Sequence, residues 1–492
     1  MRYFYTFVLL LCSLCATAQP LQNWVEQQLN QPVLQGAWWG GFAEYSDGKT
    51  SELFAVQADT RFAPASTLKL LTTAAALHAF GPYHRFETKL YATANPSETG
   101  TLKGDLIIRG GGDMTLGSKR VPGAETYQTV LSKWVRAVKE AGIRKVDGNL
   151  YADVSIFEGP AIANKVNWEN MGNYYAAPAS ALCFNDNSFA IHFKGERKGG
   201  QLAQLEDFTT PNVPGLSLQS FVTTDAKNKK DNAYVYGAPD QYDLKIFGTI
   251  PTTANGFTIR GALPNPALFA LQMFKEALIQ SGIEITGEPQ VITTAPDYNT
   301  LTWLYTYQSP QLKDIVLLVN KRSVNLYADM LLRHLALANG QKGSIQNGLA
   351  ALNQFLRKNN LAGENDTVIY DGSGLSRDTM VTPRVLVNTL RFMANGPYFE
   401  PYYNSLATPD DRGDLLVLRR FLKSKRQVEN VRIKGGTIDG VKAVAGYVHD
   451  KDGKLVAFAL MANNLATNKD ESLWRIHENI IKKLLVQPES TN

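Results

Sequence analysis

Strand-forming segments lie at both ends of the 492-residue chain, close to helix-forming segments. Near the start, GAWWGGFAEYSDGKTSELFAVQADTRF predicts two strands joined at Ser46-Asp47-Gly48, because aromatic and β-branched runs flank a turn sequence. Near the end, VRIKGGTIDGVKAVAGYVHDKDGKLVAFALMANN predicts three strands, with the second turn at 450–453, and a helix follows. We therefore expect an α+β domain that is assembled from the two ends of the chain.

The long middle region, roughly 88–293, has a different character. It contains β-type segments such as GDLIIRGGG, GNLYADVSIF and SFAIHF, separated by Gly, Asn, Asp and Pro turns. Helical patterns interrupt it at 127–142 and 266–282. We interpret this region as an insertion of two small β-rich domains between the two parts of the first domain, 19–87 and 294–492.

The first 18 residues, MRYFYTFVLLLCSLCATA, have the pattern of a signal peptide. A positive residue precedes an apolar run that is too short to span a membrane, and Ala-Thr-Ala suits signal peptidase. Cys12 and Cys15 each follow a leucine, which disfavours lipid anchoring. We predict an exported, periplasmic protein whose mature chain begins near Gln19 and which has no integral membrane segment.

Composition excludes several other classes of protein. The formal net charge of +5 is too diffuse for a nucleic-acid-binding surface. After signal removal, Cys183 is left alone, so no internal disulfide is possible, and a buried thiol is the favoured interpretation.

The C-terminal segment predicts a helix packed on a sheet, because four apolar residues recur at helical spacing. These are Leu473, Ile476, Ile480 and Leu484.

Ser66 and Lys69 stand in an apolar segment, 63–77, that predicts a helix. Residues three apart share one face of a helix, so the two side chains are within reach of each other. A lysine with a lowered pKa can take the serine proton, and N–H groups at a helix start can stabilise an oxyanion. The alternative is a helix-start serine with a surface lysine, which is the better interpretation of a single Ser-x-x-Lys match.

Ser323 and Asn325 lie in a polar break between two helical segments, 312–319 and 326–338. In such a connection a second hydroxyl can relay a proton, and an amide can hold a substrate carbonyl. The alternative is that one of these two residues simply caps the second helix, since serine and asparagine are good capping residues.

Lys434 ends an apolar strand segment and is followed by Gly435 and Gly436. Glycines on a strand mark the close approach of a ligand or of another backbone. A lysine at this place can bind a carboxylate and add positive potential around Lys69. The alternative is a β-bulge before a hairpin.

The order of the three motifs favours the functional interpretation of each over its structural alternative. The chain has the motifs of penicillin-binding proteins and serine β-lactamases in the same order, namely Ser-x-x-Lys, Ser-x-Asn and Lys-Gly-Gly-Thr. The chain resembles the class C low-molecular-mass penicillin-binding proteins, the D-alanyl-D-alanine carboxypeptidase/endopeptidase family. FAPASTLKLLT is similar to the nucleophile segment of that family, LIIRGGGDMTLG and YADVSIF to its inserted domains, and YDGSGLSRDTMVTP to its active-site loop. The 257 positions between Ser66 and Ser323 agree with the large insertion of the family.

The resemblance implies a transpeptidase-like domain, 19–87 and 294–492, of the penicillin-binding-protein and serine β-lactamase type. It implies that Ser66 is the acylated nucleophile and Lys69 its general base. Ser323 and Asn325 would relay protons and orient the substrate.

The resemblance also implies a set of binding residues. Lys434 would bind the terminal carboxylate of the substrate, and Gly436 would complete the motif. The N–H groups of Ser66 and Thr437 would form the oxyanion hole. Arg377 and Asp439 occupy positions that face the substrate side chain in some members of the family.

The implied function is an exported serine-type D-Ala-D-Ala carboxypeptidase, with D-alanyl endopeptidase action by the same machinery. Its substrates would be peptidoglycan stem peptides, β-lactams would acylate Ser66, and no cofactor would be needed. One departure is Gly435, which stands where the family usually has the threonine of Lys-Thr-Gly. Thr437 could supply a substitute hydroxyl. A β-lactamase-like hydrolase and a catalytically silent peptidoglycan-binding protein are the alternatives.

Other chemistries have little support in the sequence. The histidines are scattered and show no HExxH or paired-ligand spacing, so no metal site is predicted. Ser373 is flanked as YDGSG and does not form a GxSxG motif, and RGGGDMT lacks the last glycine of GxGxxG.

Overall fold

The computed structural model describes residues 19–47, 52–227, 230–411, 422, 425–466 and 470–486. Its strands are β1 Trp38–Tyr45, β2 Glu52–Val56, β3 Glu87–Ala92, β4 Thr101–Leu102, β5 Leu106–Arg109, β6 Lys145–Val146, β7 Leu150–Asp153, β8 Ser188–Phe193, β9 Leu205–Thr210, β10 Ser217–Ser220, β11 Thr223–Asp225, β12 Asn232–Tyr236, β13 Asp243–Pro251, β14 Phe257–Ala262, β15 Glu284–Ile285, β16 Pro289–Ile292, β17 Thr302–Gln308, β18 Thr367–Val368, β19 Met380–Val381, β20 Val431–Ile438, β21 Val441–His449 and β22 Leu455–Asn463.

The α-helices, numbered in the same way, follow the chain order. They are α1 Gln19–Gln28, α2 Lys69–Phe80, α3 Tyr127–Glu140, α4 Trp168–Met171, α5 Pro266–Gln280, α6 Leu312–Lys321, α7 Asn325–Ala338, α8 Ile345–Lys358, α9 Pro383–Ala394, α10 Phe399–Ser405, α11 Lys425–Glu429 and α12 Asp470–Leu485.

The chain divides into two compact units. The first unit comprises the described residues within Met1–Pro82, Val316–Ser323 and Leu349–Asn492, and the second comprises those within Tyr83–Ile315 and Val324–Gly348. The predicted signal peptide, 1–18, and the end of the first hairpin turn, 48–51, lie outside the described residues. In the part of the chain that the structure covers, no helix has both the length and the apolar character needed to cross a membrane.

The first unit is built on a five-stranded antiparallel sheet in the order β2-β1-β22-β21-β20. Strands from the two chain ends are direct neighbours, since β1 pairs with β22 from Trp38 opposite Asn463 to Tyr45 opposite Val456. This pairing confirms the predicted α+β fold assembled from both ends of the chain.

Helices cover both faces of that sheet. On β21, Val444 and Val448 pack into a core that also contains residues of α1 and α12. The Tyr447 hydroxyl donates a 2.6 Å hydrogen bond to the Leu390 carbonyl of α9, so it faces the opposite side, because side chains alternate along a strand. The predicted apolar stripe of α12 is confirmed by the complete burial of Leu473, Ile476, Ile480 and Leu484.

The second unit contains several smaller sheets. A five-stranded sheet has the order β16-β7-β5-β3-β17, and shorter sheets have the orders β15-β6-β4, β14-β8-β9 and β10-β13-β11, with β12 also on β13. The buried ring of Trp134 on α3 packs against Phe184 and against Phe274 of α5, with ring centroids 6.0 and 5.4 Å apart. This aromatic contact ties the two helices into one apolar core.

The second unit contains the whole predicted insertion, 88–293, and extends beyond it. Strand β17 belongs to this unit because it pairs with β3 from Thr302 opposite Ala92 to Gln308 opposite Glu87. The Cys183 thiol is also here, free and 1% exposed, and burial raises its pKa to about 12. A buried thiol was the favoured interpretation of the sequence, and it is confirmed.

Candidate active site

Ser66 and Lys69 are in direct contact. Ser66 lies in a short 3-10 helix, Ala65–Leu68, which continues into α2 at Lys69. The Lys69 Nζ donates a 2.9 Å hydrogen bond to the Ser66 Oγ. The serine is half-buried, whereas the lysine is completely buried, so the alternative of a surface lysine is wrong.

The residue before the serine has an unusual backbone conformation. Ala65 has a φ of +45°, in the left-handed region that residues with a Cβ rarely adopt. Such conformations cost of order 1–3 kcal/mol and persist where the surroundings impose them, often at functional sites. Ala65 is the first residue of the 3-10 helix that carries Ser66.

Lys434 lies on a regular strand and contacts Ser323. Its Nζ donates hydrogen bonds to the Ser323 Oγ at 3.0 Å and to the Gly435 carbonyl at 2.7 Å, and the residue is 3% exposed. Strands β20 and β21 pair without a register shift from Val431 to Ile438. The alternative of a β-bulge is therefore wrong.

Ser323 and Asn325 are placed differently. Ser323 has a φ of +56°, and Val324 occupies the N-cap position of α7 without a side-chain capping bond. The alternative in which Ser323 or Asn325 caps this helix is therefore wrong. Asn325 is the first residue of α7 in the second unit, where its amide donates a 2.8 Å hydrogen bond to the Tyr175 carbonyl. Ser323 therefore belongs to the same unit as Ser66, Lys69 and Lys434, whereas Asn325 belongs to the second unit.

Gly436 marks a close approach between two backbones. A Cβ added to this residue would lie 2.6 Å from the Pro64 carbonyl oxygen and 2.9 Å from the Ser66 nitrogen. Only glycine fits such a contact. The strand that carries Lys434 therefore passes directly beside the N–H group of Ser66.

The remaining predicted residues lie around the hairpin between β20 and β21. Thr437 is exposed, and its Oγ1 accepts a 3.3 Å hydrogen bond from the Lys442 Nζ. The exposed Arg377 reaches this hairpin, since its Nη2 would lie 3.2 Å from a Cβ on Gly440. Asp439 precedes that glycine and is also exposed, so Arg377 and the turn that carries Asp439 are neighbours.

The loop YDGSGLSRDTMVTP, residues 370–383, contacts Lys69 directly, which the sequence did not indicate. The second hydrogen bond of the Lys69 Nζ goes to the Ser373 carbonyl, at 2.6 Å. Ser373 belongs to YDGSGLSRDTMVTP, which resembles an active-site loop, but the sequence analysis predicted a site role for no residue of the loop other than Arg377. The buried Asp371, which organises the loop, was missed. Its signal was the glycine-rich turn composition of Asp-Gly-Ser-Gly.

The histidines make no metal site among the described residues. No group of three or more His, Cys, Asp or Glu side chains there is arranged to hold a metal ion. Burial lowers the pKa of His334 to about 4 and the pKa of His477 to about 3, so both are neutral packing residues at neutral pH.

The fold and the serine–lysine pair define a class of serine enzymes, and comparison with known proteins identifies the family. Residues 21–482 match the sequence profile of the D-Ala-D-Ala carboxypeptidase 3 (S13) family. The chain belongs to this family, which confirms the resemblance seen in the sequence motifs.

Individual relatives agree with this assignment. A D-alanyl-D-alanine carboxypeptidase from an Actinomadura species is 26% identical over 458 residues, which are 90% of this chain and 81% of the relative. The D-alanyl-D-alanine carboxypeptidase DacB of Haemophilus influenzae is 27% identical over 423 residues, 83% of this chain and 82% of that protein. The crystal structure of penicillin-binding protein 4 from Haemophilus influenzae shares the fold with a TM-score of 0.80, 23% identity and coverage of 94% and 99% of the two chains.

Proposed function

We propose that this protein is an exported serine-type D-Ala-D-Ala carboxypeptidase that hydrolyses peptidoglycan stem peptides through an acyl-enzyme on Ser66. The observation that carries the proposal is the 2.9 Å hydrogen bond between the buried Lys69 Nζ and the Ser66 Oγ. A serine hydroxyl becomes a useful nucleophile when an adjacent base accepts its proton. Membership in the carboxypeptidase family supports the choice of substrate.

In the acylation step, a neutral Lys69 accepts the proton of the Ser66 hydroxyl while its oxygen attacks the carbonyl carbon of the penultimate D-alanine. The peptide C–N bond then breaks, and the terminal D-alanine leaves as an amine after it gains a proton. Ser323 would pass the proton that Lys69 has taken from Ser66 to the leaving amine, and a 3.0 Å hydrogen bond from the Lys434 Nζ to its Oγ supports this role by holding the hydroxyl. A water molecule later hydrolyses the ester and returns Ser66 to its free form.

Strand β20, which passes beside Ser66, would stabilise the negative charges of the substrate and of the reaction intermediate. Lys434 would bind the terminal carboxylate, since an ammonium group is a strong donor to a carboxylate. The N–H groups of Ser66 and Thr437 would stabilise the oxyanion of the tetrahedral intermediate. The close approach of Gly436 to the Ser66 nitrogen supports this arrangement.

Three further residues complete the proposed site. Asn325 would orient the substrate amide, while Arg377 and Asp439 would face the substrate side chain. The proposed domain division, with a catalytic domain at 19–87 and 294–492 and an inserted region at 88–293, follows the family resemblance. The signal-peptide pattern of residues 1–18 supports a periplasmic location.

The same chemistry extends to two related reactions. D-alanyl cross-links between stem peptides present the same bond to Ser66, so endopeptidase action is part of the proposal. β-Lactams would acylate Ser66, and the crystal structure of the Haemophilus influenzae penicillin-binding protein 4 in complex with a β-lactam supports binding of this class of compound.

A second candidate function is that of a peptidoglycan-binding protein without catalytic activity. Gly435 favours this candidate, because it removes the usual threonine hydroxyl.

Release of D-alanine from a synthetic stem pentapeptide tests the proposal. We expect the wild-type protein to release one D-alanine per peptide and the Ser66→Ala variant to release none. Ser132→Ala is a matched control, because Ser132 is an exposed serine on α3 whose hydroxyl donates to the Gln128 carbonyl of its own helix. Binding of the pentapeptide without D-alanine release by the wild-type protein would favour the silent binding protein.

A further inference from the structure

Asp371 is a shared hydrogen-bond acceptor within the loop that contacts Lys69. Its carboxylate is completely buried and accepts hydrogen bonds from four groups of its own loop. They are the Ser373 hydroxyl at 2.9 Å, the Leu375 N–H at 2.7 Å, the Ser376 N–H at 3.0 Å and the Thr379 hydroxyl at 2.9 Å. We propose that Asp371 is a positioning residue for the catalytic lysine, an inference that rests on the proposed function of Ser66 and Lys69.

The loop touches the serine–lysine helix through three consecutive residues. The Gly372 carbonyl accepts a 2.7 Å hydrogen bond from the Thr72 hydroxyl, and the Ser373 carbonyl accepts the 2.6 Å hydrogen bond from the Lys69 Nζ. Gly374 comes so close to the Ala65 carbonyl that an added Cβ would lie 1.9 Å from its oxygen.

These three contacts follow one face of the helical segment. Residues 65, 69 and 72 are spaced by four and three positions, and residues at that spacing lie above one another on a helix. A displacement of the loop would therefore move all three contacts together. The orientation of the Ser373 carbonyl, and with it one acceptor of the Lys69 Nζ, depends on how firmly the loop is held.

The four partners of Asp371 all donate hydrogen bonds to its carboxyl oxygens. Two are backbone N–H groups, and two are hydroxyl groups. The Ser373, Leu375 and Ser376 donors share Oδ2, and the Thr379 hydroxyl uses Oδ1, so the NH2 group of an asparagine would face either the Thr379 hydroxyl or the other three donors. Because the site is buried, the donors left without an acceptor would carry a desolvation penalty, and the loop would rearrange.

The function of the loop is thus to fix the direction of the Lys69 side chain. The Lys69 Nζ donates hydrogen bonds to both the Ser373 carbonyl and the Ser66 Oγ. The position of the loop carbonyl therefore helps to set the position of the Nζ relative to the serine. A misplacement of reacting groups by about 1 Å can cost about 100-fold in rate. Asp371 therefore acts on the rate of acylation rather than on the binding of the substrate.

Benzylpenicillin acylation, followed by mass spectrometry of the intact protein, separates these effects. Varying the penicillin concentration gives the limiting acylation rate and the half-saturating concentration, and the final amplitude gives the fraction of competent protein. The variants are Asp371→Asn, Thr379→Val, which removes one of the four donors, and Thr379→Ser, which restores it. Thr389→Val is the control, because Thr389 is equally buried in the first unit and its hydroxyl donates to the Val385 carbonyl of its own helix, α9.

We expect Asp371→Asn to lower the limiting acylation rate about 100-fold with an unchanged half-saturating concentration. Thr379→Val should lose about tenfold, and Thr379→Ser should return the rate to near the wild-type value. Thr389→Val should change only the amplitude or the melting temperature. If Asp371→Asn and Thr379→Val reduce the amplitude but leave the limiting rate unchanged, Asp371 is only a structural residue and the inference is wrong. If the wild-type protein itself is not acylated, the proposed function has failed instead.

Discussion

The Lys434 Nζ donates a 3.0 Å hydrogen bond to the Ser323 Oγ across 111 residues of sequence. The contact joins strand β20 to the connection between α6 and α7, and both residues belong to the first unit. Ser323 has a positive φ, a conformation that the chain maintains only where the surroundings impose it. A serine hydroxyl held against a buried ammonium group can pass a proton to a leaving amine.

Replacement of Ser323 by alanine should slow catalysis without unfolding the protein. The change removes the hydroxyl of the proposed proton relay, while Lys434 retains the Gly435 carbonyl as an acceptor. We expect kcat for D-alanine release to fall about 100-fold or more and KM to change little. Steady-state kinetics, with the melting temperature as the control for folding, would show this. An unchanged kcat would remove Ser323 from the mechanism.

Replacement of Gly436 by alanine should damage the site through the backbone. The new methyl group would lie 2.6 Å from the Pro64 carbonyl oxygen, so β20 or the nucleophile segment must shift. We expect a loss of stability of roughly 1–3 kcal/mol, as for other overpacked sites, together with a large loss of penicillin acylation.

Gly363→Ala is the control for this substitution. A Cβ on Gly363 would come closest to the end of the Asp366 side chain, at 3.1 Å, which can move aside. Acylation of Gly436→Ala at the wild-type rate would show that the strand and the serine are not rigidly coupled.

Replacement of Gly435 by threonine should strengthen substrate binding. The change restores the hydroxyl that members of the family usually carry, and a hydrogen bond to a charged carboxylate can contribute about 1.5–3 kcal/mol. We expect KM for the stem pentapeptide to fall about tenfold. Gly435→Val has nearly the same shape without the hydroxyl, so it isolates the hydrogen bond. Equal KM values for the threonine and valine variants would contradict the expected role.

Glu478 should make the stability of the first unit depend on pH. This glutamate of α12 is 2% exposed, and within the described part of the chain neither carboxylate oxygen has a hydrogen-bond partner. Burial raises its pKa to about 8, and the positive charges of Lys482 and Arg475 oppose that rise. The folded protein thus keeps this proton to a higher pH than the unfolded chain, in which a glutamate titrates near ~4.3.

Stability from this group is therefore present below pH ~4.3 and is lost as the pH rises toward 8. Glu478→Gln removes the ionisation, so we expect the variant to be more stable than the wild type at pH 8, with a smaller difference at pH 5. Melting temperatures of both proteins across this range test the expectation. A difference that is constant with pH would show that the pKa of Glu478 is the same in the folded and unfolded protein and would contradict the expectation.

The sequence predicted those parts of the fold that depend on local patterns. The strands at both ends, the helix after Ser66 and the stripe of α12 all follow from residue periodicity and turn residues. Burial of Lys69 was not predictable in this way, because it depends on the loop at Ser373, 304 positions away. Pairing over such distances depends on tertiary packing, which a single sequence does not reveal.

In the candidate site, too, the sequence predicted the contacts that depend on local spacing but not those that depend on tertiary packing. The motif spacing indicated Ser66 and Lys69 as partners, since three positions along a helix fix their proximity. The contact of Lys434 with Ser323 depends on tertiary packing between β20 and the connection between α6 and α7, 111 positions away, which residue spacing does not reveal. Asp371 was missed because an acid in a glycine-rich turn is an ordinary turn residue until its four donors are seen together.

The most direct test of the account is the mass of the mature protein after incubation with benzylpenicillin, followed over time for the wild type and the Ser66→Ala variant. We predict a covalent adduct of one penicillin on the wild type, mapped to Ser66 by peptide digestion and missing from the variant. A stable adduct would favour the peptidase over a β-lactamase, in which the adduct is short-lived and hydrolysed penicillin accumulates. The absence of both an adduct and hydrolysed penicillin would contradict the assignment of Ser66 as an active nucleophile.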